Sequence, residues 1–288
     1  MPTRHVPTPT TFLDMPALRI ETPASTAVLS LFGAQLLSFV PKGGQDLLWV
    51  SPQTRRPPAP IRGGVPLCWP WFGRQGQAAD APAHGLVRTL QWSLITAVQD
   101  ADGSVALELA PPRIDATPLR ARLRIRVGAG FEQALETYNA GDVPVRFTQA
   151  LHSYFAVGDA TRVRVEGLDG LDYLDKFDGF ARHVQKGDWT LADARDPGRS
   201  DRIYLGAGGR YVLCDPAEGR AIEVRTGGSR NVVVWNPGEA ATRDFADLAP
   251  DAWRRFLCVE AANSESEAVE LAPGASHALR QTVTLLEA

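Results

Sequence analysis

The stretch Leu119–Val127, LRARLRIRV, alternates without a break. Leu119, Ala121, Leu123, Ile125 and Val127 fall on one side of an extended chain, and Arg120, Arg122, Arg124 and Arg126 on the other. A period of two belongs to a strand, because successive side chains point to opposite faces. The pattern therefore demands a sheet with one buried face and one wet face. An arginine stripe also suits a nucleic-acid surface. No aromatic residues interleave with these arginines for base stacking, so the stripe is read as the wet face.

Shorter runs of the same kind recur along the chain: SVALELA, VRFTQALHSYFAV, TRVRVEGL, RYVLCD, AIEVRT, NVVVWN, RRFLCVEAA and ALRQTVTLLE. Turn signals such as KGGQD, ADGS, NAGDVP, CDPAEG and TGGS separate them, and 26 glycines and 22 prolines supply the punctuation. Helical periodicity is scarce, with ADLAPDAWRRF offering room for one turn. The chain is expected to be all-β, a sandwich or barrel in one domain.

The formal net charge of −3 gives no global attraction to nucleic acid or to an anionic membrane. Cys68, Cys214 and Cys258 are odd in number and widely spaced, which argues against a disulfide framework and suits a reducing compartment. The N-terminus has no apolar signal region. The most apolar stretch, Ala27 to Val40, is broken by Ser30, Gln35 and Ser38 and is too short to span a bilayer. A soluble, cytoplasmic protein is expected, a monomer or weak oligomer with no nucleic-acid or membrane partner.

Common catalytic signatures are missing, including G-x-S-x-G, the phosphate-binding P-loop and H-E-x-x-H. Asp169, Asp172, Asp175 and Asp178 recur in DGLDYLDKFD without calcium-loop spacing and are read as a solvated acidic loop. Among the five histidines, His84 precedes Gly85 in HGLVR, and His152 interrupts the strand pattern of ALHSYF. Histidines and cysteines are not grouped along the chain, so no metal and no cofactor is expected. His152 alone reads as well for a half-buried structural residue as for a catalyst. In RRFLCVEAAN, Phe256, Cys258 and Glu260 share one face, and an uncompensated carboxylate there would be costly. A salt bridge to an arginine and a role in acid–base chemistry both answer that cost. IRGGVPLCWPWFG sets Arg62 and two glycines before Trp69, Trp71 and Phe72. These aromatics suit a sugar-ring floor and a core equally.

Taken in order, IRGGVPLCWPWFG, HGLVR, ALHSYFAVGD, SDRIY, VVWNPG and FLCVEAAN resemble the glucose-6-phosphate 1-epimerases of the aldose 1-epimerase (galactose mutarotase-like) superfamily. The resemblance runs from about Ala27 to the C-terminus. It implies a large antiparallel β-sandwich over residues 27–288, preceded by a partly flexible segment, residues 1–26. It implies interconversion of the α and β anomers of a hexose 6-phosphate by acid–base ring opening, with a small sugar phosphate as partner. The alternatives are an epimerase of unphosphorylated hexoses and a non-catalytic carbohydrate-binding protein. By the same resemblance the catalytic pair falls on His152 and Glu260. Substrate contacts fall on Arg62, His84, Arg88 and Asp201. Ala150, His152 and Tyr154 should then face the sugar, with Leu151, Ser153 and Phe155 facing away. His152 is expected to be charged near neutral pH and to serve as the acid. One departure stands out: Ala83 occupies the place before His84 where the family pattern has glutamine, and Gln77 lies upstream.

Overall fold

The computed structural model describes residues 7–74, 76–192 and 198–286. Two large antiparallel sheets dominate it. The nine-stranded sheet runs from Trp189–Thr190 through Arg164–Glu166, Arg210–Asp215, Arg220–Gly227, Ser276–Leu286, Phe131–Asn139, Leu119–Val127 and Val105–Ala110 to Ser93–Gln99. The eight-stranded sheet runs from Ala181–Val184 through Asp172–Asp175, Ser200–Tyr204, Asn231–Asn236, Phe256–Asn263 and Gln149–Leu151 to Leu67–Cys68. Tyr154–Ala156 also pairs with Phe256–Asn263. Leu123, Ile125 and Phe131 of the first sheet share one apolar core with Leu151, Val234 and Val259 of the second. The chain is an antiparallel β-sandwich.

The alternation of Leu119–Val127 is realised residue by residue. Its apolar side is buried, while Arg122 and Arg124 pair with Glu108 and Arg126 with Asp102 on the wet side. Upstream of residue 27, Thr8–Phe12 and Met15–Glu21 are strands of a four-stranded sheet completed by Ser25–Ser30 and Gln35–Pro41. Met15 and Ala17 are buried on one face there, and Ile20, on the other, joins the main core. Residues 1–6 lie outside the described residues. Phe39 of this sheet meets Phe131 of the nine-stranded sheet with ring centroids 5.2 Å apart.

Three local expectations are corrected. The run Val145 to Val157 is not one strand. Val145–Phe147 pairs with Val269–Leu271, whereas Gln149–Leu151 and Tyr154–Ala156 both pair with Phe256–Asn263. The acidic stretch is a solvated loop only at its ends, where Asp169 and Asp178 are exposed. Asp172–Asp175 is a strand, and Asp175 is fully buried, where its Oδ1 accepts the Phe177 N–H at 2.9 Å. Such a carboxylate caps the short 3-10 turn Lys176–Asp178 instead of meeting water. The expected helical turn is present at Ala252–Arg255, but it is one of several short ones, and the sole α-helical turn among the described residues is Gly238–Thr242. Among the described residues no helix is long and apolar enough to cross a membrane.

Phe131 is wholly buried and joins two sheets. Phe131→Ala should leave a cavity there and lower stability by about 3–5 kcal/mol. A shift of the urea midpoint equivalent to less than 1 kcal/mol would show that the two sheets do not lean on this ring.

Candidate functional site

The eight-stranded sheet has a second face, turned away from the main core. The register decides what stands on it. Leu151 pairs with Ala261, and Tyr154 pairs with Cys258. The same register thus holds on both sides of residues 152 and 153, which sets His152 opposite Glu260. The ladder is interrupted between them. His152 N–H donates to Pro66 O at 3.0 Å, Ser153 N–H to Leu151 O at 3.1 Å and Val259 N–H to Ser153 O at 3.2 Å. Leu151 and Phe155 point into the main core, and Ser153 Oγ bonds Gln281 Oε1 at 2.8 Å. Ala150, His152 and Tyr154 occupy the other face.

Neighbouring strands extend two rows across that face. Asp201, Trp235, Cys258 and Tyr154 form one row. Ile203, Val233, Glu260 and His152 form the next. His152 stacks on Tyr154 with centroids 4.9 Å apart and planes within 9°, and meets Trp235 edge-on at 6.0 Å. Its Nδ1 lies 3.4 Å from Glu260 Oε1. Both residues are buried, with Glu260 only 1% exposed.

Burial sets the charge of this pair. Removing an ionisable group from water disfavours its charged form. The His152 imidazolium is pushed well below its usual range by burial, helped by His84 and the Arg88, Arg62 and Lys176 charges. Glu260 is pushed well above the carboxylate range, again by burial, with Asp201 adding and Lys176 opposing. The sequence expectation is a charged His152, whereas burial in the substrate-free site favours neutral imidazole beside a protonated carboxyl group.

The loop from Ile61 to Phe72 and the HGLVR segment cover this face. Gly63 and Gly64 both take positive φ, and a Cβ on either would come within 2.3 Å of the backbone carbonyls of Trp49 or Leu36. Only glycine lets the loop lie this close to the sheet beneath, and Arg62 projects from it. Arg62 Nε donates to Asp247 Oδ2 at 3.1 Å and Nη1 to the Tyr154 hydroxyl at 3.2 Å, with the guanidinium over Phe245. The three aromatics of this loop divide their roles. Trp69 is core, its indole N–H donating to Thr137 Oγ1 of the opposite sheet. Trp71 is half-buried and bonds Pro82 O. Phe72 packs against both His84 and His152.

His84 sits at φ +64°, an uncommon conformation outside glycine. Its N–H bonds Gly73 O at 2.8 Å, while the Gly73 N–H donates to His84 Nδ1 at 3.3 Å. An amide can only donate, so Nδ1 is the acceptor and neutral His84 carries its proton on Nε2. Burial, then the charges of Arg88, Lys176, Arg62 and Arg74, drive its pKa down to about 3. His84 meets His152 edge-to-face at 5.5 Å. Arg88 Nη2 donates to Ala83 O at 2.6 Å. Gln77 lies exposed in the turn after Arg74.

All six residues singled out by sequence belong to this neighbourhood. His152, Glu260, Arg62 and His84 are linked by contacts or by shared aromatic neighbours, and Arg88 acts on both histidines through its charge. Asp201 meets a residue that sequence reasoning missed, Lys176, at 3.1 Å. Lys176 Nζ also lies over the Phe72 ring, 5.3 Å from its centroid. Its signal was present in DYLDKFD, as the one cation among the aspartates. Phe72, Arg74, Arg146, Thr148, Lys176 and Ser264 line a cavity of ≈ 370 Å³ next to the histidines, a size within the usual range for small ligands. A larger cavity of ≈ 1020 Å³ opens over the nine-stranded sheet. Its histidine, His277, is engaged with Asn263 Oδ1 at 3.0 Å and, among the described residues, is paired with no carboxylate. Volume alone therefore does not mark the chemistry.

Residues 16–284 match the family described as aldose 1-epimerase. A candidate glucose-6-phosphate 1-epimerase of Escherichia coli (strain K12) is 37% identical over 258 residues, covering 86% of this chain and 83% of that protein. A protein of the same description from Salmonella typhimurium is 35% identical over 269 residues, covering 90% and 88%. The crystal structure of a candidate mutarotase, YeaD, from Salmonella typhimurium superposes with a TM-score of 0.88 at 32% identity, over 98% of this chain and 94% of that one. The chain belongs to the aldose 1-epimerase family.

Proposed function

We propose that the protein interconverts the α and β anomers of a hexose 6-phosphate, glucose 6-phosphate foremost, with His152 and Glu260 as its acid–base pair. The observation that carries this reading is the pair itself. Two buried ionisable groups stand 3.4 Å apart on facing positions of one sheet, roofed by aromatic rings and surrounded by Arg62, Arg88, Arg74 and Lys176. The names of the relatives from Escherichia coli and Salmonella typhimurium support the phosphorylated substrate.

Mutarotation needs one proton donor at the ring oxygen O5 and one acceptor at the C1 hydroxyl. In the substrate-free site the dissociable proton sits on Glu260. Its transfer to His152 Nδ1 yields imidazolium and carboxylate, the forms from which ring opening starts. Glu260 then takes the O1 proton as the C1–O5 bond breaks and the C1 carbonyl forms. The imidazolium gives its other ring proton to O5. Both groups end neutral, the state that burial favours, while the substrate is an open-chain aldehyde. Rotation about C1–C2 and the reverse steps close either anomer. Proton transfer by a positioned group contributes roughly 10²–10⁴-fold.

The cations suit an anionic substrate. Arg62 and Arg88 present guanidinium groups that bind phosphate oxygens in a fork. Asp201 is an acceptor for a sugar hydroxyl, and His84 Nε2 is a donor to one. A second reading, an unphosphorylated hexose, is favoured by one fact. Arg62 is already engaged by Asp247, Lys176 by Asp201 and Arg88 by the Ala83 carbonyl.

His152→Ala and Glu260→Gln should each slow anomer exchange of glucose 6-phosphate by at least about 100-fold, with far-ultraviolet circular dichroism unchanged. Exchange NMR reads the rates, and a wild-type rate in either folded variant would remove that residue from the chemistry. Arg62→Ala should raise KM for glucose 6-phosphate by about 10–100-fold, the worth of a charge-assisted contact, and change KM for glucose much less. Equal changes for the two sugars would favour the unphosphorylated substrate.

A further inference from the structure

Sequence spacing does not group histidine with cysteine, yet the fold does. His152, Cys258 and Glu260 each offer a ligand atom, and these atoms lie within 4.8 Å of one another. Cys258 is opposite Tyr154 and two residues before Glu260 on the same face, so the three side chains converge from two paired strands. Two of the atoms are underused. His152 Nδ1 and Glu260 Oε2 are buried and have no hydrogen-bond partner among the described residues. A buried polar atom left in that state needs an explanation.

From this cluster we infer that His152 Nδ1, Cys258 Sγ and the Glu260 carboxylate form a site for a thiophilic divalent cation of the zinc class, and that its occupation silences the enzyme. Imidazole, thiolate and carboxylate are the common zinc ligands. At ordinary zinc–ligand lengths, neighbouring atoms of a tetrahedral site stand about 3.3–3.6 Å apart. The 3.4 Å between Nδ1 and Oε1 already meets this, and small rotations bring in the sulfur. Three protein ligands leave the fourth position to water. Charge is balanced as well. A thiolate and a carboxylate neutralise a doubly positive ion beside a neutral imidazole, so the buried complex carries no net charge. Binding releases the thiol proton and the carboxyl proton to solvent. Arg88, Arg62 and Lys176 oppose a cation as they oppose imidazolium, though Asp247 and Asp201 pair with Arg62 and Lys176.

Such an ion would occupy both members of the proposed acid–base pair. It would hold Glu260 away from O1 and deny His152 Nδ1 its proton. The inhibitory half of the inference rests on the acid–base reading above, whereas the binding half does not. Zinc here is a reversible stop on the site and has no part in the reaction.

Isothermal calorimetry on the full chain, freed of metal by a chelator and titrated with zinc chloride, should show one site per chain. Cys258→Ala should weaken it at least tenfold. Cys214, which bonds Glu166 on the other sheet, supplies the control, and Cys214→Ala should bind as wild type. If Cys258→Ala fails to fold, Cys258→Ser and cadmium replace it. The ultraviolet cadmium–thiolate band should appear in the wild type and vanish in Cys258→Ser. Absence of one-to-one binding, or undiminished affinity in a folded Cys258 variant, would overturn the site. Exchange NMR during the same zinc titration should show the rate falling with occupancy and returning on chelation. Full occupancy with an unchanged rate would leave the site standing and overturn both its inhibitory role and the acid–base roles of His152 and Glu260.

Discussion

Everything at the site depends on one register. Gln149–Leu151 and Tyr154–Ala156 pair with Phe256–Asn263 in the same alignment, and the N–H groups of the two residues between them turn out of the ladder. Continuous pairing would bind residue 152 tightly to its opposite number. Here the His152 N–H goes to Pro66 and the Ser153 N–H goes back to Leu151. The side chains of His152 and Glu260 are still delivered face to face, as a cross-strand pair must be. A slip of one residue would send His152 into the apolar core and bring Ser153 to the surface of the site. The buried Ser153–Gln281 hydrogen bond resists that slip, because the slip would orphan the Gln281 acceptor.

Burial then does the electrostatic work. Two ionisable groups facing each other in water would be an imidazolium and a carboxylate at slightly acid pH, and simply an ion pair. In this cleft, with aromatic rings on several sides, each group is driven toward neutrality. With His152 and Glu260 as the proposed acid–base pair, ring opening would return the two groups to the forms their surroundings prefer. The nearby cations act in the same direction on the histidines: they disfavour imidazolium at both, and an anion bound among them would offset that. A phosphate dianion would therefore assist protonation of His152 as well as anchor the sugar.

Much of this was legible in the sequence. The period-two runs predicted the sheet, and Leu119–Val127 and Asn231–Asn236 match their strands to the residue. His152 and Glu260 could be set on their strand faces because side-chain direction follows from alternation alone. What alternation could not give was the interruption at 152 and 153, where the two N–H groups turn to the carbonyls of Pro66, from distant chain, and of Leu151, in an off-ladder turn. Lys176 was missed for a similar reason. A lysine among aspartates reads as solvent-exposed, and only the pairing of Asp172–Asp175 with Ser200–Tyr204 brings that segment to Asp201. The aromatics of CWPWF were ambiguous for a physical reason too. Trp69 and Phe72 are both buried, and what separates core from cleft is the partner each ring meets, Thr137 or His152.

Ala83 shows how far a site of this kind can be built from backbone. The family pattern puts a glutamine there, and the side chain is absent in this chain. Its carbonyl nevertheless takes a hydrogen bond from Arg88. The adjacent His84 is fixed by reciprocal bonds with the Gly73 backbone, and Gly85 passes so close to Trp69 that a Cβ would fall 2.0 Å from the Trp69 carbonyl oxygen. The HG turn is thus oriented by main-chain contacts on both sides, without help from residue 83's side chain. The direction of His84 and Arg88 therefore does not depend on an amide side chain at residue 83. Arg88 in turn reaches toward the histidines from a carbonyl that any residue at 83 would supply. On the proposed reading, an alanine at 83 would bear on how sugar hydroxyls are read and not on the pairing of His152 with Glu260, which rests on the strand register.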